Sequence, residues 1–189
     1  MRLSPIPPAA LEPEQRALHD TFAAGIATAQ GFRSFRTRTD DGAFIGPFNP
    51  WLHYPESGEA AWAMFQALSG DRARLPAECR EVAILVVGAR FRSEYELYAH
   101  VSVARELGMP DGKLAALAAG TRPADLDERE AATFDVATAL CAGGLVPAAV
   151  TARAEALFGR DAVAELIFLV GLYAAVSITL NGFREAAPE

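Results

Sequence analysis

The sequence predicts an all-α protein, and three observations predict it. Apolar residues recur at three- and four-residue spacing from end to end. No segment longer than six residues alternates cleanly between apolar and polar, as a half-buried strand would. Prolines and glycines punctuate the apolar runs where helices would start and stop.

Residues 1–12 carry Pro5, Pro7 and Pro8 and run into Pro13, so they read as an extended arm lying over a neighbour. From Pro13 to about residue 30, Leu18, Phe22 and Ile26 stand four apart, as on one face of a helix. Residues 31–55 include DGAFIGPFNPWLHYP. The breakers there predict no regular element, yet the aromatic content is too high for a solvated linker. An ordered aromatic loop packed over the core is expected, and long ordered loops often carry function. A helix over 58–69 follows. Pro76 then opens a helix in which Val82, Leu85, Val86 and Ala89 form a buried stripe. The next helix spans 93–107 and is closed by Gly108 and Pro110. Shorter helices are predicted over 111–119 and 127–142, the latter ended by Gly143 and Gly144. The last two span 147–158 and 161–183. A chain of 189 residues suits a single domain over 1–189.

Composition narrows the classes of function. Hydrophobic residues make up 51% of the chain and its mean hydropathy is +0.14. That surplus can fill a core and still leave apolar faces, which points to an oligomer. A net charge of −7, a pI near 5.0 and a single lysine, Lys113, argue against nucleic acid as a partner. Cys79 and Cys141 lie far apart and form no CxxC pair. They read as buried thiols, consistent with a reducing cytoplasm. The N-terminus has prolines and acids where a signal peptide needs an apolar run. The longest apolar run, Leu166 to Leu180, is shorter than the roughly twenty residues of a membrane span. Glu165 and Asn181 flank it, so it is expected as a buried core helix of a soluble protein with no membrane partner.

The chemistry-bearing residues gather in Glu81 to His100, EVAILVVGARFRSEYELYAH. Glu96 and His100 are four apart and share a helix face. Glu81 lies about ten residues before the turn at Arg90–Arg92, and His100 about nine after it. An antiparallel hairpin therefore brings them to the same height. A carboxylate facing an imidazole supplies acid–base chemistry near neutral pH.

This segment resembles that of the carboxymuconolactone decarboxylase family and its alkylhydroperoxidase-D relatives. Redox-active members space Glu, Cys, Cys and His as Glu81, Ser93, Glu96 and His100 are spaced here. The stretches LEPEQRALHD, IGPFNPWLHYPE and ELIFLVGLYAAVSITLNGF also look like members without the CxxC pair. The resemblance implies a helical bundle built on the hairpin, here with a proline-rich N-terminal extension, and a homotrimer or homohexamer. It also implies catalysis without a cofactor on a small-molecule substrate such as a carboxylated lactone. The family's proton-relay role carries to Glu81 and His100, with Glu96 assisting, as catalytic residues. The thiol roles do not carry over, because a serine has no accessible disulfide state. In a decarboxylation the substrate's own conjugated lactone accepts the electrons and His100 delivers the proton.

Ser93, Tyr95, Asn49, His53 and Arg90 are the candidate substrate-binding residues. Each has a plainer alternative. Ser93-x-x-Glu96 also fits a capping box, Glu81 a first-turn acid, and His100 a core histidine. His53 and Asn49 could equally be loop packing. The arginines about the hairpin, Arg80, Arg90 and Arg92, could be solvated rather than holding a substrate carboxylate. No metal site is predicted. His53 with Glu56 offers too few ligands, and Glu81, Glu96 and His100 lack the paired Glu-x-x-His pattern of helical di-iron centres. His19 is expected to face solvent.

Overall fold

The computed structural model describes residues 1–28, 30–70 and 73–188. Among these are nine α-helices and no strand. They are α1 (Pro13–Thr28), α2 (Phe48–His53), α3 (Pro55–Ala67), α4 (Ala77–Phe91), α5 (Glu94–Glu106), α6 (Asp111–Ala118), α7 (Glu128–Ala142), α8 (Ala148–Phe158) and α9 (Arg160–Phe183). The fold is all-α, as its periodicity predicts.

The bundle is organised around α4. From Cys79 to Gly88 all but Arg80 of this helix is buried. A helix apolar on every side must be enclosed on every side, and α4 packs against α5, α6, α7 and α9. By length and composition alone α9 could cross a membrane. Instead Leu166, Leu169, Val170 and Val176 are buried in the shared core, and α9 packs on α4, α7 and α8. Glu165, buried in the same helix, is fully engaged. It accepts from the Arg74 and Leu75 amides (2.7 and 3.3 Å) and from Arg80 Nη1 (3.0 Å).

The α4–α5 hairpin turns on two residues. Arg92 takes the left-handed conformation (φ 52°) and its amide bonds to the Ala89 carbonyl, while the Ser93 amide reaches back to Gly88 (2.9 Å). These are the two reciprocal bonds of a Schellman motif, made with arginine where glycine is usual. Gly88 also lets α5 come close. A Cβ there would stand 3.2 Å from Leu97 Cδ2 and 3.6 Å from Glu96 Cβ.

Two expectations about elements are corrected. The stretch 31–55 is not without regular structure, since it contains α2, which starts after Pro47 and carries Pro50 in its first turn. Proline is tolerated there because the first-turn amides have no intrahelical partner. Similarly α3 begins at Pro55, three residues earlier than predicted. The N-terminal arm is extended apart from a short 3-10 turn at Pro8–Ala10.

Candidate active site

Glu81 stands in the second turn of α4, and His100 midway along α5, facing it. His100 Nδ1 donates to Glu81 Oε2 at 2.8 Å, and His100 Nε2 lies 3.5 Å from Glu96 Oε2. One imidazole is thus held between two carboxylates, and all three side chains are buried or nearly so. The bond to Glu81 places the Nδ1 proton and fixes the ring, leaving Nε2 as the atom free to exchange protons. Tyr173 of α9 packs edge-on against the ring (5.0 Å between centroids, 84°).

Burial shapes the protonation of the group. It removes the Glu96 carboxylate from water and, with the negative Glu81 nearby, pushes the Glu96 pKa up to about 7 against the pull of His100. For His100 burial acts downward. The attraction and hydrogen bond of Glu81, with the charge of Glu96, outweigh it and raise the imidazole above its ordinary value. Burial also lifts the Tyr173 hydroxyl well above its usual range, helped by Glu96 and Glu81.

Glu96 and His100 open onto a small, partly enclosed cavity. Its other walls are aromatic and aliphatic. Phe32, Phe35, Pro47, Phe48 and Trp51 come from the 31–55 segment, and Trp62 and Phe65 from α3. Tyr95 and Ala99 come from α5, and Leu172, Tyr173 and Val176 from α9. Tyr95 is fixed by its hydroxyl, which donates to the Arg36 carbonyl at 2.8 Å. Gly46 (φ +64°) packs flat against it, since a Cβ there would fall 2.2 Å from Tyr95 Cζ.

The predicted site residues divide. Glu81, Glu96, His100 and Tyr95 come together at or beside the cavity; Ser93, Asn49, His53 and Arg90 do not line it. Ser93 is fully buried with an unpartnered hydroxyl and makes no side-chain capping bond, so the capping box is not formed. Asn49 Nδ2 donates to the Leu3 carbonyl (3.2 Å) and to Glu185 (2.7 Å), and His53 Nε2 donates to the Ser4 carbonyl (2.9 Å). Both tie down the N-terminal arm. Arg90 Nε donates to the Cys141 carbonyl beside a separate surface groove. Two further expectations are corrected. Cys141 is only half-buried. The His19 side chain is largely buried, tilted against Phe44 rather than facing water. Among the described residues no three His, Cys, Asp or Glu side chains are grouped to hold a metal ion.

Sequence reasoning missed Tyr173, Trp62 and the phenylalanines. The aromatic density of residues 32–65 was the available signal, but it did not show which rings face one another.

The chain is an all-helical bundle in which two carboxylates and an imidazole are buried together on an antiparallel hairpin. Within it, residues 55–139 match the model of the carboxymuconolactone decarboxylase family. The fold matches a solved protein from Ralstonia eutropha, described as an alkylhydroperoxidase AhpD core and an uncharacterized peroxidase-related protein. The TM-score is 0.73 at 19% identity, covering 98% of this chain and 92% of that one. It also matches a protein of unknown function from Agrobacterium tumefaciens, described as a candidate antioxidant defence protein AhpD. There the TM-score is 0.67 at 16% identity, over 82% of this chain and 99% of that one. At these identities the likeness is one of fold. No curated protein matches the chain.

Proposed function

We propose that the protein is a cofactor-independent acid–base enzyme acting on a small activated carbonyl compound. The observation that carries this reading is the Glu81–His100–Glu96 arrangement opening onto a cavity. His100 Nε2 delivers a proton to substrate carbon or oxygen, Glu81 orients the imidazole and keeps it charged, and Glu96 takes or returns the second proton. Decarboxylation of a carboxylated lactone, as the family's name suggests, is one form of this chemistry. An isomerase, hydratase or hydrolase on the same residues is a second, and the cavity lining favours it, because among the described residues no arginine or lysine lines the cavity to hold a substrate carboxylate.

Thiol peroxidase chemistry has less support. Burial pushes the Cys79 thiol up to about 11 and raises Cys141 as well, so both stay protonated and weakly nucleophilic. We further propose that the chain works as a homotrimer or homohexamer in a reducing cytoplasm.

The test is His100→Ala, assayed by carbon dioxide release from carboxylated lactones and by solvent deuterium exchange beside the carbonyl of cyclic enones. Turnover should fall by about 10²- to 10⁴-fold with the helical circular dichroism retained. Undiminished turnover in a folded variant overturns the assignment.

A further inference from the structure

We propose that the cavity beside Glu96 and His100 selects an uncharged, flat, largely apolar molecule carrying one hydrogen-bonding oxygen, such as a substituted arene or cyclic enone, and rejects carboxylates. The inference rests on the acid–base reading for its role and on the cavity walls for its content. Among the residues lining the cavity, Glu96, His100 and the hydroxyls of Tyr95 and Tyr173 are the polar groups apart from the indole nitrogens. Tyr95 is already engaged by Arg36.

The two hairpin arginines Arg80 and Arg90 are engaged elsewhere. Arg80 is held by Glu165 at 3.0 Å, and Arg90 bonds to the Cys141 carbonyl beside another groove. Two carboxylates already face the one imidazole. A substrate carboxylate entering here would lose its water and, among the described lining residues, meet no free cation, an arrangement that strongly disfavours binding.

A neutral flat ring fits what remains. Trp62 and Phe65 stack in parallel (5.0 Å, 14°), while Phe35 meets Tyr95 edge-on (6.3 Å, 84°), so the walls offer both ring faces and ring edges. Glu96 Oε2 is buried and makes no hydrogen bond, its nearest polar neighbour being His100 Nε2 at 3.5 Å. A buried oxygen beside a cavity that makes no hydrogen bond can take a ligand group, and in its protonated form it can donate to a carbonyl. Trp62 Nε1 is likewise buried and unpartnered on a residue of the same wall.

Both tryptophans of the chain line this cavity, so intrinsic fluorescence reports on it directly. Methyl benzoate and benzoate share a ring and differ in charge, and each would be titrated into the intact protein and into His100→Ala. Methyl benzoate should quench saturably in both proteins, and benzoate should bind more weakly by about tenfold or more. Ala99→Phe, which fills the cavity, should abolish the methyl benzoate response while benzoate stays weak. Equal or tighter binding of benzoate overturns the proposal, as does no saturable response to methyl benzoate. Tighter binding of benzylammonium overturns it too, by making the cavity an aromatic cage for a cation. Binding and turnover separate the two claims. Selective uptake of the ester with unchanged turnover in His100→Ala would sink the acid–base reading alone. Lost turnover with equal benzoate binding would sink only the substrate class.

Discussion

His100 gains its character from having a different neighbour on each nitrogen. Glu81 at 2.8 Å fixes the ring and Glu96 stands at 3.5 Å from the other nitrogen. The arrangement has a cost in stability that can be measured. The folded-state pKa of Glu96 lies above its ordinary value, so its contribution to stability is fully present below about pH 4.5. It is lost as pH rises through about 7. Glu96→Gln should therefore leave thermal stability near pH 4 little changed and raise it near pH 8.5, by at most about 3 kcal/mol. Activity should fall at the same time. Melts of both proteins at the two pH values check this, and a Gln variant less stable at high pH contradicts it. At this scale the sequence was informative wherever spacing sufficed. Glu81 and His100 are equidistant from one turn, and helical geometry does the rest. Tyr173 was not legible, because its approach to His100 depends on how α9 lies across the hairpin, a contact across 73 positions that no local pattern encodes.

Among the elements, α4 and α9 are tied together by Glu165, whose carboxylate holds Arg80 and two backbone amides of the segment before α4. Glu165→Ala should cost about 3–5 kcal/mol by urea denaturation, since it strands Arg80 and both amides in a largely buried place. Glu165→Gln should recover part of that. A loss below about 1 kcal/mol in Glu165→Ala would show the bridge to be solvated. The long helices were legible because their apolar periodicity and their Pro, Asp and Gly boundaries agree. α7 is the clearest case, with its capping box of Asp127 and Glu130. α2 was not legible, because two prolines and a glycine in eight residues suggest a loop unless their first-turn placement is known.

For the whole molecule, the unfinished surface lies on α9. Ile167, Phe168 and Ile178 are 43%, 59% and 57% exposed on a helix whose opposite face fills the core. Large apolar side chains so placed support the proposed self-association. Light scattering should give a mass of three or six times the 20.1 kDa chain. Phe168→Glu should lower that mass while keeping the helical signal. A monomeric parent protein contradicts the proposal. Composition foretold the apolar surplus but not its location. The location follows from which face of α9 the bundle leaves uncovered.

The tuning of Glu96 by burial underlies the proposed chemistry, and it can be measured without knowing the substrate. Carbon-13 labelling of the glutamate side chains, with Glu96→Gln to assign the resonance, follows the Glu96 carboxyl through a pH titration. A midpoint at about 7 is the expected result. A midpoint in the ordinary carboxylate range, near about 4.3, would contradict it and leave His100 without a partner able to exchange protons at neutral pH.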